Sequence, residues 1–145
     1  MIEKFWKKFI VKNNIKSCEY EAWSFGMEAD LLSKLVSYGE KTATSSAYPL
    51  YKLKNKPLPK VGNYNIILNS KGKPVCITQT KKVYIKKFCE VTIEHAYKEG
   101  EGDKSLEFWR SVHENYFTKC LEEVGLNFTL DMKVVCEEFE VVYKR

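Results

Sequence analysis

The patterns typical of β-strands are grouped in this sequence and do not alternate with helical patterns. Residues 63–69 and 74–80 are rich in Ile, Val and Thr and flank a Ser-Lys-Gly turn, which predicts a β-hairpin. We expect a further strand at 83–88 and a Val- and Phe-rich strand at 132–143. Because these strands do not alternate with helices, the order favours an α+β fold, a mostly antiparallel sheet or β-barrel flanked by helices.

Helical periodicity accounts for much of the remaining chain. Apolar residues at positions 2, 5, 6, 9 and 10 are separated by lysines, so residues 1–19 are predicted to be an extension containing an amphipathic helix. Further helices are expected around 27–38, over 92–98, and from Asp103 or Ser105 to about 123. The predicted apolar stripe of the last helix consists of Phe108, Val112, Tyr116 or Phe117, and Cys120.

Positive charge is concentrated in the middle of the chain. Residues 41–87 contain eleven lysines and no acidic residue, whereas the whole chain has a net charge of +5. This segment predicts either a surface for phosphate-bearing partners or lysines that protect edge strands from aggregation. Its first part, 41–59, is predicted to be a long irregular connection. The chain has only two arginines, Arg110 and Arg145. Because arginine most often recognises guanine through two hydrogen bonds, this scarcity argues against sequence-specific recognition of duplex DNA.

Several function classes receive no support from the sequence. Its 145 residues suit a single domain, and no apolar run has the length of a membrane span or secretory signal. Five cysteines without a C-x-x-C pair predict reduced thiols, Cys18 included, in a cytoplasmic protein. His95 and His113 lack metal-ligand spacing, and the chain has no G-x-G-x-x-G or P-loop motif, so we expect neither a metal nor a cofactor. A cysteine–histidine nucleophilic pair is left open, although buried structural thiols are the preferred interpretation.

The segment from Gly39 to Thr44 has the pattern G-x-K-x-x-T, which resembles the signature of the ASCH domain, a small β-barrel related to the PUA domains. The resemblance covers most of residues 20–143 and implies a PUA-like fold over a single domain, 1–145. The other segments that resemble this family, in its bacterial branch, are 23–26, 31–46, 58–69, 74–80, 94–113 and 132–143.

The resemblance implies a cleft that holds the Lys and Thr of the signature. Carried onto this sequence, the implied catalytic residues are Lys41, Thr44 and Glu99, with Glu101 as a rival for the acidic role. Family members have been assigned RNA binding, coactivator-like roles, ribonuclease activity and hydrolysis of N4-acylated cytidine. The implied ligand is a nucleobase, a nucleoside or single-stranded RNA, and membrane partners are not expected. The residues predicted to bind this ligand are Phe25, Thr42, Ser45, Tyr64, Glu101, Trp109 and Arg110.

The expected chemistry is metal-independent hydrolysis. A lysine can act as a base only if its pKa falls towards neutrality. In this hypothesis Lys41 activates the Thr44 hydroxyl or a water, Glu99 assists proton transfer, and Lys41→Ala abolishes hydrolysis without changing the melting temperature. The alternative function is a noncatalytic RNA-binding module, whose affinity would depend steeply on salt, or a coactivator-like module with an exposed apolar patch.

Simpler structural roles compete at each position. Lys41 could contact a phosphate while Thr44 caps a turn, and the acids at 99, 101 and 103 could form a solvated loop before a helix N-terminus. Trp109 is often a core residue, although a tryptophan at a cleft can stack on a base. Tyrosines among the lysines, such as Tyr64, suit single strands but are equally common in barrels with one wet end.

Overall fold

A computed structural model describes residues 1–16 and 19–145, so Cys18 lies outside the described residues. Helices and strands are interspersed along the chain, and a short 3-10 turn, Phe88–Glu90, follows the longest strand. The helices are α1 (Ile2–Lys12), α2 (Ala29–Ser37), α3 (Tyr48–Leu53), α4 (Ile93–Glu99) and α5 (Leu106–Glu122), and the strands are β1 (Glu21–Ser24), β2 (Ala43–Ala47), β3 (Tyr64–Leu68), β4 (Pro74–Lys87) and β5 (Lys133–Lys144).

The strands form a mixed sheet in the order β1-β3-β4-β5-β2. β1 pairs with β3 in parallel, and the other neighbours are antiparallel. The sheet is curved into a half-barrel, and in the described part of the chain its edge strands, β1 and β2, are not paired with each other. The fold is therefore α+β, as predicted, with an open side between β1 and β2. The grouping of strand patterns is an incomplete premise, because helices and strands alternate from α1 to β3, and the mostly antiparallel pairing decides the class.

Helices cover the sheet with aromatic and aliphatic side chains. Phe5, Trp6 and Phe9 of α1 pack against β3 and β4, and this confirms the amphipathic N-terminal helix. Val36 of α2 packs with Ile67. The helices α4 and α5 pack on the β5 side of the sheet in a cluster formed by Ala47, Phe88, Val91, Ala96, Trp109, Phe117, Leu121, Met132, Val134 and Cys136.

Two expectations about the middle of the chain need correction, and a third is met in part. The irregular connection predicted over 41–59 contains β2 and α3. The strand predicted at 83–88 is the second half of the single strand β4. The outer strands β1 and β2 contain no lysine, but the exposed Lys82, Lys86 and Lys87 lie on the second half of β4, which pairs with β5 and not with β3.

The buried stripe of α5 also differs from the prediction by one position. Trp109, His113, Phe117 and Leu121 are buried, whereas Phe108 is 37% exposed. The reason is that both Trp109 and His113 bond to a buried carboxylate beneath the helix, described below. Polar anchoring thus sets the rotation of this helix, and apolar periodicity alone could not reveal it.

The described cysteines are free thiols, and Cys76 and Cys136 are buried. Burial raises the pKa of each of these two thiols to about 12, so neither is a ready nucleophile. Within residues 1–16 and 19–145, the structure has no helix that is both long enough and apolar enough to cross a membrane.

Candidate functional site

A cavity of about 310 Å³ lies at the open side of the half-barrel. Both edge strands contribute to its wall, together with the connection after α3, the loop after α4 and residues of β3, β5, α2 and α5. The residues that line it are Glu21, Trp23, Ser24, Phe25, Gly26, Met27, Leu32, Lys41, Thr44, Ser45, Ser46, Tyr51, Lys56, Pro57, Leu58, Pro59, Asn63, Asn65, Glu99, Glu101, His113, Tyr116 and Glu137.

Lys41 enters this cavity from the end of α2. Its side chain is only 1% exposed, and its backbone N–H donates to Leu35 O at 3.0 Å, which fixes the segment after the helix. The ammonium Nζ lies 2.9 Å from Glu99 Oε1 and 2.7 Å from Glu101 Oε2. A third contact, 3.4 Å, joins Nζ to the carbonyl oxygen of Glu99. These acceptors, together with the ring of Phe25 at 5.4 Å, surround the charge.

Glu99 is the last residue of α4 and is 1% exposed. Its Oε2 accepts hydrogen bonds from Trp109 Nε1 at 2.5 Å, His95 Nε2 at 2.9 Å and the hydroxyl of Ser45. Its Oε1 faces Lys41 and lies 3.5 Å from His113 Nε2. A carboxylate that receives so many donors can stay ionised in the interior.

Protonation states in this cluster follow from these contacts. Burial by itself would lower the pKa of Lys41, but the charges of Glu99 and Glu101 outweigh burial and raise it. Burial likewise opposes ionisation of Glu99, yet Lys41 and His113 hold the pKa of Glu99 well below its ordinary value. The cluster therefore consists of paired ions.

His113 belongs to the same group of ions. Burial would lower the pKa of His113, but the charge of Glu99 raises it. Its Nδ1–H donates to Trp109 O at 2.9 Å, so its Nε2 can donate towards Glu99 only when the ring is protonated. The hydrogen bond of Nδ1 and the raised pKa of His113 therefore both favour the protonated ring, an imidazolium.

These protonation states contradict the role expected for Lys41 as a base. The hypothesis requires a lowered pKa, and the structure gives a raised one because two carboxylates, and not the lysines of 41–87, are its nearest charges. The same contacts change the expectation for stability: Lys41→Ala should lower the melting temperature, since removal of Lys41 leaves buried Glu99 without its partner. Lys41 stays protonated and acts as a fixed positive charge.

A metal ion has one set of potential ligands in the described part of the chain. Ligand atoms of Glu99, Glu101 and His113 all lie within 4.8 Å of one another. The Lys41 ammonium is within 3 Å of the carboxylates of Glu99 and Glu101 and already supplies a positive charge that balances them. A metal would have to replace this ammonium, so the geometry favours an ion-pair cluster over a metal centre.

A second polar chain crosses the inner face of the half-barrel. Trp23 Nε1 donates to Asn65 Oδ1 at 2.9 Å, and Asn65 Nδ2 lies 3.4 Å from Thr80 Oγ1. The Thr80 hydroxyl donates to Glu137 Oε2 at 2.5 Å. Burial raises the pKa of Glu137 and outweighs this hydrogen bond, which lowers it. Glu137 is the partner of Thr44 in the β2–β5 register.

The structure brings part of the predicted site together. Lys41, Thr44 and Glu99 all line the cavity, and so do Phe25, Ser45 and Glu101. Both rival acids contact Lys41, so each has a role in the cluster.

The remaining predicted ligand contacts do not line the cavity. Thr42 donates to Lys98 O at 3.3 Å, and Arg110 is exposed with its guanidinium 3.4 Å from Cys89 O. Tyr64 packs with its ring centroid 5.5 Å from that of Trp6 in the core beneath α1. Trp109 is 2% exposed, and its indole N–H donates to Glu99 Oε2.

Sequence reasoning missed the two histidines and Glu137. His95 stands four residues before Glu99, and His113 four residues after Trp109, so helical spacing could have grouped them once Glu99 was a candidate. Glu137 had no such signal, because only the pairing of distant strands brings it to the cavity.

Comparisons with known proteins agree with this architecture. The model of the ASCH domain family matches residues 21–143. The ASCH domain from Lactobacillus crispatus JV V101 is 33% identical, with 97% of this chain and 93% of that chain covered, at a TM-score of 0.91. Protein EF3133 from Enterococcus faecalis V583, of family model DUF984, is 36% identical, with 98% and 88% covered, also at 0.91.

A more distant structure supports the fold alone. Hypothetical protein PH0355 is 20% identical, with 83% of this chain and 99% of that chain covered, at a TM-score of 0.56. No curated protein sequence matches the chain. Since the family model spans most of the sequence and the half-barrel is shared with structures above 30% identity, the chain belongs to the ASCH domain family.

Proposed function

We propose that the cavity binds a nucleobase, either in a free nucleoside or in one nucleotide of single-stranded RNA. The observation that carries this proposal is the composition of the wall. Trp23, Phe25 and Tyr51 supply aromatic surface, and Asn65 and Glu137 supply polar groups held by neighbours. A planar ligand with an apolar face and polar edges fits such a wall.

The size and position of the cavity support the same ligand class. A volume of about 310 Å³ lies at the lower end of the range of roughly 300–1,000 Å³ for small-molecule sites. A base must leave its stack to enter, which favours nucleosides and single strands over duplexes. Lys56 lines the cavity, and the exposed Lys54 and Lys60 lie near it in sequence, in place to meet a phosphate.

Tryptophan fluorescence tests this proposal. Trp23 lines the cavity, whereas Trp6 and Trp109 are 4% and 2% exposed and do not. Titration with nucleosides and short single-stranded RNAs is expected to quench the wild-type fluorescence in a saturable manner. The same quenching should persist in Trp6→Phe and disappear in Trp23→Phe.

Calorimetry with the same ligands separates loss of signal from loss of binding. Trp23→Phe should still bind, more weakly, because Phe keeps a ring but cannot donate to Asn65. Absence of saturable heat and fluorescence change with every nucleoside and RNA would refute the proposal. Quenching that survives Trp23→Phe would place the ligand elsewhere.

Hydrolysis of an N-acylated nucleoside is a second candidate, favoured by the presence of Lys41, Thr44, Glu99 and Glu101 around one cavity. In such a step water adds to the acyl carbonyl, the C–N bond breaks, the amine takes a proton and a carboxylic acid leaves. Lys41 would stabilise the negative charge that develops on oxygen. Glu101, 12% exposed, is the most accessible acid of the cluster and would accept the proton of the water.

Turnover of N4-acetylcytidine tests this second candidate. Glu101→Gln should lower kcat by about 100-fold or more, which is the usual contribution of a general base. Glu107→Gln, on the exposed side of α5, is the matched control and should keep wild-type turnover. Absence of turnover by the wild type, with binding retained, would leave the noncatalytic function.

A further inference from the structure

Glu137 ends the polar chain on the inner face of the half-barrel, and one of its oxygens is uncommitted. Its side chain lines the cavity and is 9% exposed. Oε2 accepts the Thr80 hydroxyl at 2.5 Å. Oε1 makes no hydrogen bond to any described residue, and no described side-chain oxygen that is fully buried lacks a partner. Oε1 is therefore the atom that faces the cavity.

The direction of hydrogen bonding along this chain is fixed by its first member. The indole of Trp23 can only donate, so it assigns Oδ1 of Asn65 as the acceptor and Nδ2 as the donor towards Thr80. The Thr80 oxygen receives that N–H and gives its own proton to Glu137. Each link donates to the next, and Glu137 arrives at the cavity as an acceptor.

We propose, resting on the proposed function above, that Glu137 is the specificity-determining residue of the cavity and that its Oε1 accepts a hydrogen bond from an exocyclic amino group of the bound base. The nearby charges support a ligand that donates. Glu21 lines the cavity as well as Glu137, and the lysines of the wall are Lys41 and Lys56. Since Lys41 is already paired with Glu99 and Glu101, Lys56 is the lysine that balances the charges of Glu21 and Glu137.

Cytosine and uracil provide a direct comparison, because they differ at the exocyclic position, where cytosine has an amino group and uracil a carbonyl oxygen, and at the adjacent ring nitrogen, which accepts in cytosine and donates in uracil. The amino group of cytosine donates to a carboxylate. Uracil presents a carbonyl oxygen there, which repels the carboxylate and leaves a buried acceptor unpaired. The cavity is therefore expected to prefer amino-bearing bases.

The test compares the affinities of cytidine and uridine by calorimetry at mildly alkaline pH. The wild type should bind cytidine more tightly, by on the order of tenfold. In Glu137→Gln the Thr80 proton should hold the amide oxygen in the place of Oε2, so that the amide nitrogen faces the cavity as a donor. The preference should then reverse towards uridine, an outcome that a merely structural role would not produce.

Glu138→Gln is the matched control. Glu138 neighbours Glu137 on β5, but its Oε1 accepts from Lys98 Nζ at 3.1 Å and it does not line the cavity. The ratio of cytidine to uridine affinity in Glu138→Gln should therefore equal that of the wild type. Melting temperatures of both variants establish that they fold. If both nucleosides bind and Glu137→Gln keeps the wild-type ratio, the assignment is overturned while the proposed function stands. If neither nucleoside nor RNA binds the wild type, the proposed function fails and the assignment fails with it.

Discussion

At the scale of single residues, Lys41 is a structural cation. Its ammonium neutralises two carboxylates in a place where its side chain and that of Glu99 are each 1% exposed. Replacement by Met removes the charge and keeps much of the volume. We expect Lys41→Met to lower the free energy of unfolding by about 3–5 kcal/mol, the usual effect of removing one partner from a buried ion pair. Urea denaturation monitored by circular dichroism measures this loss.

A double variant distinguishes the lost ion pair from lost packing. Glu99→Gln in the Lys41→Met background removes the unpaired buried charge while keeping the size of the side chain. It should recover part of the lost stability, giving a positive coupling energy in a double-mutant cycle. Equal midpoints for wild type and Lys41→Met would show that Glu99 does not depend on this ammonium.

His113 gives the cluster a pH dependence. Its folded-state pKa is raised above the ordinary value of 6.5, since the charge of Glu99 outweighs burial. The stabilisation is therefore complete below about pH 6.5 and is lost as pH rises through the raised folded-state pKa. We expect the melting temperature of the wild type to fall over this window, and His113→Gln to lose that part of the fall. Identical pH profiles for the two proteins would contradict the assignment of an imidazolium.

The sequence identifies Lys41 and Glu99 through the family resemblance, because both belong to short local motifs. It does not identify their protonation states. Those depend on His113 and Glu101, which approach Lys41 and Glu99 only when the loop after α4 folds back. The place of Glu137 in the cavity is harder to predict, because three strand pairings link its strand, β5, to the strand of Trp23, β1.

At the scale of elements, the end of α4 positions the acids of the site. Gly100 follows Glu99 with φ of +69°, and a Cβ there would lie 2.1 Å from Glu40 O. Gly100→Ala is expected to lose about 1–2 kcal/mol for the left-handed backbone and a further ~1–3 kcal/mol for the clash. Gly125→Ala is the control, because Gly125 has φ of +76° and open space around it. Denaturation should show the smaller loss in Gly125→Ala, and equal losses would refute the clash.

Element prediction succeeded where the signal is local. Capping and periodicity predict α5, whose Ser105 side chain accepts from Phe108 N–H. β2 has a small, hydroxylated sequence without apolar alternation, and it is a strand because it pairs along its length with β5, about ninety residues later. Such non-local pairing is invisible to a local pattern.

At the scale of the whole molecule, the two signs of charge are separated between the cavity and its surroundings. Of the eleven lysines in 41–87, a segment that the structure describes in full, ten are exposed and Lys41 alone is buried. The cavity wall carries four glutamates and two lysines. An acidic interior near a basic surface suits a ligand that places a nitrogen-bearing base inside and its phosphates outside.

This separation predicts different salt dependences for two forms of the same ligand. Nucleoside affinity should change little with KCl, whereas single-stranded RNA should follow a log–log slope of about −0.7 per phosphate contact. Lys52, Lys54 and Lys60 are exposed and lie close in sequence to Lys56 of the cavity wall. Replacing these three lysines by Ser should make that slope shallower by up to about 2 without altering nucleoside affinity. The charge-matched control replaces Lys4, Lys7 and Lys8 on α1, none of whose residues lines the cavity. Fluorescence anisotropy across a KCl series measures the slopes. An equal change in both triple variants would mean that RNA responds to the general charge of the protein and not to the lysines near Lys56.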